Sequence, residues 1–384
     1  MCTHVFVRMR ILAGHDTLRA MRIVLDCSSA VRPEATGVAM YIRRLVAALG
    51  KAAPAEQFQL VHRFRLRGRR NYVPPPAANF TTTTLIEALH PLFGCKCDVF
   101  HGLDARLPGE WLKAKLVVTI HDVFSALQSD QFATSEFRAL KAKRYQEIAK
   151  RADRIIVVSE ASKRDVLETI APDPAKLRVI YEAAGSNFSQ RHPEEIAGVR
   201  KTYGLDRPYF FYVGTINKRK NLPNMIKAFA QAREKSRADV QFVIAGRIGF
   251  GGEELDAAIS SAGAATYVKK LGYVRDEDIP ALYSGAYGLL FVTQYEGFGI
   301  PVVEAFACGC PVLGGSRGSV PEIAGDAGLI ADPGDVGAIA VQIQRLISDA
   351  GLRATLKTRG LARAQQFSWE RTAKACLDVY RELA

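Results

Sequence analysis

The chain has 384 residues, of which 48% are hydrophobic and 24% charged, a composition that indicates a folded globular protein and argues against a disordered one. No run of about 18 apolar residues is present, so no transmembrane helix is predicted. The net charge is +13, and residues 1–190 carry most of it, with 28 Lys and Arg against 18 Asp and Glu. This surplus favours an anionic partner: a membrane surface, a phosphorylated acceptor or a nucleic acid. A solvated basic face is the alternative.

Residues 1–20 precede the first predicted strand and are expected to be a leader or a mis-annotated start, with Met21 as a plausible true start. The seven cysteines are scattered, and the C-x-C pairs at 95/97 and 308/310 lack the further ligands of a zinc site. We therefore expect reduced thiols in a cytoplasmic protein. The basic surplus is sharpest in the run His62–Arg70 and in a predicted helix that carries Arg138, Lys141, Lys143, Arg144, Lys150 and Arg151. A basic N-terminal domain would suit peripheral contact with anionic lipids at the inner face of the cell membrane.

Apolar runs alternate with amphipathic segments along the whole chain. The first series of strands is predicted at 22–26, 57–62, 98–100, 115–120, 154–158 and 177–181, with a helix over 37–49. A second series is predicted at 209–213, 240–245, 268–271, 287–292, 311–313 and 328–330, with helices near 222–235, 253–262, 276–285, 301–308 and 335–349. Such alternation is typical of parallel sheets covered on both faces.

The predicted fold class is therefore α/β, with two doubly wound Rossmann-like domains facing each other across a cleft. The predicted domains are 21–190 and 191–366, with a hinge in the polar segment 182–207. Residues 367–384 read as a Ser-capped helix, and one option is that this helix packs back on the N-terminal domain.

Two carboxylates bracket the segment E-G-F-G-I-P-V-V-E, between Glu296 and Glu304. Glu296 follows a predicted buried strand, and Pro301 is expected to open a helix that has Glu304 in its first turn. Carboxylates accept hydrogen bonds from sugar hydroxyls, and free amides at a helix N-terminus favour phosphate. Taken alone, the pattern also fits a capped helix with surface glutamates.

Four other loops follow predicted strands in the second half of the chain. The loop after 209–213 carries a glycine turn and three adjacent cations, Lys218, Arg219 and Lys220, which suit a diphosphate. Further loops lie at 245–247, 271–274 and 314–319. Each loop alone is typical of an ordinary turn, but five in series on one domain indicate a ligand site.

The motifs together resemble the family-4 retaining glycosyltransferases of GT-B fold, also called glycosyltransferases group 1. The resemblance runs from Met21 almost to the end of the chain. It rests on T-G-V-A-M-Y-I-R-R-L, D-V-F-H-G, T-I-H-D, V-S-E-A-S-K-R-D, V-G-T-I-N-K-R-K-N-L, the Glu-bracketed segment, P-E-I-A-G-D-A-G and F-S-W-E-R-T-A. The form N-K-R-K-N is similar to that of a mannosyl- or rhamnosyltransferase-like branch.

The resemblance implies a role for each matching residue of the Glu-bracketed segment. Glu304 would hold the ribose hydroxyls of a nucleotide-diphosphate sugar, the donor. Glu296 would contact hydroxyls of the donor sugar, helped by the backbone of Phe298, Gly299 and Ile300.

In the diphosphate loop, Lys220 matches the lysine that neutralises the donor diphosphate as it leaves. Gly214 and Thr215 open this loop, and many family members have an arginine where this chain has Thr215. Either Arg219 or Arg247 then supplies the second positive charge, or stabilisation of the leaving group is weaker.

The other domain is expected to contribute His121, which matches the histidine facing the transferred sugar, and its neighbour Asp122 as a donor-binding residue. The alternative is a core histidine hydrogen-bonded to Asp122. Gly37 matches the glycine that lets the backbone approach the phosphates. Arg247 and Tyr273 would border the base.

The function implied is retaining, metal-independent transfer of a hexose to a glycan or lipid-linked acceptor, in cell-surface polysaccharide synthesis. GDP-mannose is the expected donor and a UDP-sugar the alternative; no cofactor and no metal are expected. A nucleotide-sugar epimerase or a phosphorylase on the same fold stays open. So does a basic protein that binds nucleic acid or membrane without transferase activity, although no nucleic acid partner is expected. A dehydrogenase is disfavoured because no G-x-G-x-x-G follows the first predicted strand.

Overall fold

The computed structural model describes residues 19–31, 37–63, 73–85, 96–124, 135–249 and 252–384. Most of the expected leader and of the basic run His62–Arg70 lie outside these ranges. The first seven strands are β1 (Arg22–Asp26), β2 (Gln57–Arg63), β3 (Phe80–Leu85), β4 (Val99–Gly102), β5 (Lys115–Ile120), β6 (Arg154–Val157) and β7 (Leu177–Val179). They form one parallel sheet in the order β3-β2-β1-β4-β5-β6-β7.

A second parallel sheet is formed by β8 (Tyr209–Val213), β9 (Gln241–Ala245), β10 (Val268–Gly272), β11 (Gly288–Phe291), β12 (Val312–Gly315) and β13 (Gly328–Ala331). Its strand order is β10-β9-β8-β11-β12-β13. The two Rossmann-like α/β sheets confirm the predicted fold class. The domain boundary between residues 190 and 191 stays a prediction.

The helices in the described ranges cover both sheets. They are α1 (Gly37–Ala52), α2 (Ser135–Arg151), α3 (Glu160–Ile170), α4 (Pro193–Thr202), α5 (Leu222–Ser236), α6 (Glu254–Ser261), α7 (Ile279–Ser284), α8 (Ile300–Ala307), α9 (Val320–Ala324), α10 (Val336–Ser348), α11 (Ala350–Ala364) and α12 (Trp369–Arg381). The apolar stripe predicted on α1 is buried, as its spacing requires. None of the described helices combines the length and the apolar character needed to cross a bilayer.

Strand order decides where the loops of the two sheets converge. In each sheet the order reverses beside the first strand, between β1 and β4 and between β8 and β11. A crevice forms at the carboxyl ends of parallel strands at such a point, and ligands bind there. The loops that leave β8 at Val213 and β11 at Phe291 therefore border one crevice.

The structure differs from the sequence-based prediction at β3, α4 and α8, and the helices α3, α9 and α11 were not predicted. Strand β3 was not predicted, because its sequence F-T-T-T-T-L is β-branched but mostly polar and lies at the sheet edge. Helix α4 lies inside the segment expected to contain the hinge. It begins after His192, with Glu195 closing a capping box. Helix α8 begins at Ile300, so Glu304 lies in its second turn rather than its first.

The last helix returns to the first sheet. Ser368 caps α12 by accepting a hydrogen bond from the Arg371 amide, as the Ser-capped prediction requires. The Tyr380 hydroxyl lies 2.7 Å from Nδ1 of His101 on β4, and both residues are fully buried. The Thr372 hydroxyl donates to the Tyr181 carbonyl oxygen at 2.7 Å. The chain end is thus tied to residues of the first half of the chain.

Candidate active site

A cluster of four charges lies where the loops of the two sheets meet. Nζ of Lys220 is 2.6 Å from Oε1 of Glu296, and Nη1 of Arg219 is 3.1 Å from Oδ2 of Asp122. Nη2 of Arg219 also approaches Oε2 of Glu296 at 3.9 Å. The cations follow β8, Glu296 follows β11, and Asp122 follows β5. The structure therefore brings together predicted residues from both halves of the chain.

The environment of this cluster is largely closed to solvent. The Lys220 and Glu296 side chains are only 12% and 9% exposed. Burial lowers the pKa of Lys220, and the charge of Glu296 opposes that shift. For Arg219, burial acts against the charge, but Glu296 and Asp122 outweigh it and raise the pKa. The two cations are therefore held as a fixed positive site with its counter-ions in place.

Aromatic rings and glycines shape the loop that carries the cations. Lys220 lies 5.2 Å from the Phe291 ring centroid, and Arg219 lies 5.4 Å from that of Phe124. Gly214 and Gly246 adopt φ of +144° and +141°. A Cβ on Gly246 would come within 1.9 Å of the Gly214 carbonyl oxygen, so the two loops touch backbone to backbone.

Thr215 follows Gly214 at the position where many family members have arginine. Its Cγ2 would lie 2.8 Å from a Cβ built on Gly249, so Thr215 packs against the neighbouring loop. Of the two arginines considered as a substitute, Arg219 lies in the charge cluster. Arg247 instead lies 5.2 Å over the Tyr273 ring, on a face where Tyr273 is 61% exposed. Arg247 and Tyr273 thus lie together, and their place beside the base of the donor stays a prediction.

The loop between Glu296 and α8 packs against the first half of the chain. A Cβ on Gly297 would lie 1.9 Å from the His121 carbonyl oxygen, so only glycine fits there. The Gly297 carbonyl oxygen accepts hydrogen bonds from the Ser159 and Ser162 hydroxyls, at 2.6 and 3.0 Å. Gly299, with φ of +93°, caps α8. Within the described ranges, no acceptor bonds the amides of Phe298 and Gly299, which leaves them available beside Ile300 at the helix N-terminus.

His121 has acceptors at both ring nitrogens. Nδ1 is 3.0 Å from Oε1 of Glu182, and Nε2 is 3.0 Å from the Leu103 carbonyl oxygen. Burial opposes the charged form, but the hydrogen bond to Glu182 and the charges of Glu182 and Asp104 raise the pKa. Two acceptors suit an imidazolium that donates from both nitrogens. The alternative of a hydrogen bond from the His121 ring to Asp122 is wrong, because Glu182 and the Leu103 carbonyl oxygen are the partners of the two ring nitrogens.

Glu304 pairs with a residue that was not predicted. Nη1 and Nη2 of Arg44, on α1, both lie 3.1 Å from Oε1 of Glu304. Burial raises the pKa of Glu304 to about 7, although Arg44 acts in the opposite direction. Gly37 begins the same helix, and a Cβ added there would meet no atom of the described residues within 4 Å.

Three contributors to the site were not predicted as site residues: Arg44, Glu182 and Ser159. Arg44 and Ser159 lie within the motifs T-G-V-A-M-Y-I-R-R-L and V-S-E-A-S-K-R-D, but neither motif indicates what its polar side chains contact. Glu182 begins the segment expected to contain the hinge. Its role in the site becomes visible only in the folded chain, where this carboxylate is buried, with 3% of its surface exposed. In the part of the chain that the structure describes, no three His, Cys, Asp or Glu side chains form a metal-binding group.

Comparison with known proteins gives consistent results for both halves. The family model of Glycosyltransferase Family 4 matches residues 35–183, and that of Glycosyl transferases group 1 matches residues 199–363. The chain is 30% identical to O-antigen chain mannosyltransferase B of Escherichia coli, over 94% of this chain and 100% of that protein. It is 26% identical to the serotype-specific mannosyltransferase WbdA of Escherichia coli, over 72% of this chain but 34% of that protein.

Solved structures show the same architecture. Sucrose-phosphate synthase from Thermosynechococcus elongatus superposes with a TM-score of 0.76 at 21% identity, over 94% of this chain and 99% of that chain. The lipopolysaccharide glycosyltransferase WaaG superposes with a TM-score of 0.73 at 15% identity, over 94% and 99%. At such identities the likeness concerns the fold alone. With the two family matches and the full-length relative, the chain belongs to the family-4 glycosyltransferases and is a glycosyltransferase of GT-B fold.

Proposed function

We propose that this glycosyltransferase transfers a mannosyl residue from GDP-mannose to a glycan or lipid-linked acceptor during cell-surface polysaccharide synthesis. The observation that carries the proposal is the 30% identity to an O-antigen chain mannosyltransferase over 94% of this chain and the whole of that relative. A UDP-sugar is the second candidate donor. The structural neighbour HepE of Anabaena, with a TM-score of 0.75 and 19% identity, was solved in complex with UDP-glucose.

The proposed donor pocket follows the described contacts. Glu304 accepts from the ribose hydroxyls, and Glu296 contacts the hydroxyls of the sugar. Lys220 and Arg219 approach the diphosphate, with the free amides of Phe298 and Gly299 as further donors. In this pocket the diphosphate competes with Glu296 and Asp122 for the cations, so its binding rearranges the ion pairs.

The chemistry that we propose is transfer with retention at the anomeric carbon. The bond from that carbon to the β-phosphate oxygen breaks, and the electron pair stays on the phosphate. The acceptor hydroxyl forms the new bond from the same face, and its proton passes to the leaving phosphate. Negative charge therefore grows on the diphosphate in the transition state, where fixed cations lower the barrier most.

The donor is tested by thermal-shift screening against GDP-mannose, UDP-glucose and ADP- and TDP-sugars. A ligand that binds only the folded state stabilises by mass action, about 2.7 kcal/mol at a hundred times its Kd. We expect GDP-mannose to give the largest shift and labelled mannose to be transferred to a glycan acceptor. A shift with UDP-glucose alone would show that the donor is UDP-glucose rather than GDP-mannose. Turnover of GDP-mannose without transfer to an acceptor would contradict the proposed transferase reaction.

Because Lys220 and Arg219 supply positive charge at the diphosphate, we propose that transfer needs no divalent metal. Excess EDTA should leave the initial rate unchanged. A rate that falls with EDTA and returns with Mg²⁺ or Mn²⁺ would show that a metal shares this task.

We also propose that helix α2 contacts an anionic membrane surface. Phe137 and Leu140 are 47% and 57% exposed on this helix, and Lys141, Lys143 and Arg144 lie beside them. Exposed apolar side chains next to cations suit the headgroup region of an anionic leaflet. Sedimentation with phosphatidylglycerol vesicles should exceed that with phosphatidylcholine vesicles and weaken in high salt. Equal binding to both, or to neither, would count against this contact.

A further inference from the structure

Arg44 is the one cation of helix α1 for which a contact with the second half of the chain is described. Its guanidinium contacts Glu304 through two nitrogens, and the Arg44 and Glu304 side chains are only 13% and 11% exposed. We infer that Arg44 is a positioning residue that holds Glu304 ionised and oriented for the ribose hydroxyls of the donor. The inference rests on the ribose contact proposed above for Glu304.

The geometry leaves half of the carboxylate available. Both Nη1 and Nη2 of Arg44 contact Oε1 of Glu304. Among the residues that the structure describes, none donates a hydrogen bond to Oε2. A carboxylate oxygen offers about two lone-pair directions, so Oε2 can accept from a ribose hydroxyl while Arg44 keeps its place on Oε1.

Arg44 is itself held in position by the connection between the two sheets. Its guanidinium carbon lies 5.6 Å from the Phe188 ring centroid. A Cβ added to Gly185 would lie 2.7 Å from Nη2 of Arg44, so the backbone of this connection passes close to the guanidinium. The arginine is therefore preorganised before any donor arrives, and little entropy is lost in directing Glu304.

Because of the surroundings of Glu304, the Arg44 guanidinium is needed to keep this carboxylate ionised. Burial raises the pKa of Glu304 to about 7, and the charge of Asp276, after β10, acts in the same direction. Tyr283 on α7 and Cys308 after α8 also face Glu304; burial raises the pKa of both, and the charge of Glu304 adds to that shift. Arg44 is the only cation that lowers the pKa of Glu304 among the named causes. Without it, the neutral carboxyl would dominate at pH 7.

The test compares Arg44→Met with Arg44→Lys, and with Lys51→Met as a control that removes one exposed positive charge from the same helix. Titration calorimetry with GDP-mannose and UDP-glucose, which share the ribose, is run from pH 6 to pH 9. We expect a Kd about fivefold higher for Arg44→Met at pH 7, since raising a pKa of about 7 by one unit lowers the ionised fraction at pH 7 from about one half to about one tenth. The difference should shrink toward pH 9, and kcat at saturating donor should not change.

Arg44→Lys should recover part of the affinity, and Lys51→Met should behave as wild type. A loss of affinity that is the same at every pH, or tighter binding by Arg44→Met, would overturn the inference. So would an unchanged pH profile. Glu304→Gln separates the two proposals: if it binds both donors as wild type does, the ribose contact itself is wrong. If it loses binding while Arg44→Met keeps the wild-type profile, only the role of Arg44 fails.

Discussion

The side chains of Lys220 and Glu296 are both nearly buried. Because little water reaches them, each side chain compensates the charge of the other. Such a pair contributes little net stability, because desolvation offsets the attraction between the charges. Its use is to keep a cation ready at the site where the leaving diphosphate gains charge. Loss of Lys220 therefore has two separate effects, one on folding and one on catalysis.

Lys220→Met should lower kcat by about 10² to 10³, the usual loss when one group that stabilises developing charge is removed. It should also destabilise the fold by up to about 3 to 5 kcal/mol, because buried Glu296 loses its partner at 2.6 Å and keeps only Arg219 at 3.9 Å. Initial rates and urea unfolding measure the two effects. The double variant Lys220→Met/Glu296→Gln should recover stability but not activity.

Lys218→Met is the matched control, since Lys218 is 42% exposed in the same loop and its ion pair among the described residues is with the surface residue Glu254. Its rate should stay near that of wild type. Equal losses of rate in Lys218→Met and Lys220→Met would mean that the rate depends on the total positive charge of the loop rather than on the position of Lys220.

His121 gives a prediction about pH and stability. Its pKa is raised above 6.5 in the folded chain, so the charged histidine stabilises the fold fully below pH 6.5. This stabilisation is lost as pH rises through the folded pKa. The melting-temperature gap between wild type and His121→Gln should therefore narrow as pH increases above 6.5.

His62 and His101 have lowered pKa values, about 4 and about 3, and so titrate with the opposite sign. The contribution of His62 cancels in the difference between wild type and His121→Gln. That of His101 does not, because the charge of His121 helps to lower the pKa of His101, but this effect is confined to pH values below about 6.5. Glu182→Gln should reproduce the behaviour of the His121 variant, because Glu182 is the carboxylate that raises the pKa. A gap that does not change with pH would contradict the assignment of an imidazolium.

At the scale of elements, the N-terminus of α3 holds the loop that carries Gly297. The Ser159 hydroxyl accepts from the Ser162 amide and donates to the Gly297 carbonyl oxygen. Oε1 and Oε2 of Glu322 accept from the amides of Glu160 and Ala161, at 2.9 and 3.0 Å. Acceptors from the other half of the chain thus bond the free amides at the N-terminus of α3. The capping of this helix is therefore coupled to the position of the loop that carries Gly297.

Ser159→Ala should cost about 1 kcal/mol as a lost N-cap and should also raise the donor KM, because the Gly297 loop loses an anchor. Asp349→Ala is the matched control, since Asp349 caps α11 by accepting from the Leu352 amide, far along the chain from this loop. Both variants should lose similar stability in urea unfolding. Only Ser159→Ala should change KM in steady-state kinetics, and a parallel change in both variants would contradict the coupling.

At the scale of the whole molecule, the chain crosses between the sheets twice, once between β7 and β8 and again where α12 returns. The return buries Trp369, Cys376, Leu377 and Tyr380. It also places the Tyr380 hydroxyl on His101, whose other ring nitrogen lies 2.8 Å from the Thr119 hydroxyl. Surface pairs add to this return, such as Arg178 with Glu382 at 2.8 Å.

Tyr380→Phe should destabilise the protein by about 1 to 3 kcal/mol, because Nδ1 of buried His101 loses its partner. Glu382→Gln should cost at most about 1 kcal/mol, as expected for a surface ion pair. Urea unfolding, followed by fluorescence, would measure the change in the free energy of unfolding for both variants. Activity at low temperature should survive in both variants, and a larger loss in Glu382→Gln would reverse the ranking of buried and exposed contacts.

Local patterns were sufficient for most of the architecture. Apolar runs and helical spacing depend only on neighbouring residues, so they predicted twelve of the thirteen strands. They missed β3, whose threonines carry no apolar run, and the helices α3, α4, α9 and α11; the sequence of α11, for example, mixes small, basic and apolar residues. The motifs also identified the family, because glycine turns, strand-end cations and the bracketing glutamates follow one another in a characteristic order.

Pairing across the crevice depends on the folded chain. The sequence predicts that Lys220, Glu296, Glu304 and His121 belong to one site, but it contains no information on which counter-ion each meets. That choice depends on how two sheets, far apart along the chain, present their loops to each other. Tertiary structure alone pairs Arg44 with Glu304 over 260 residues and His121 with Glu182. It also buries Glu304 enough to raise its pKa to about 7, because desolvation is a property of the assembled crevice.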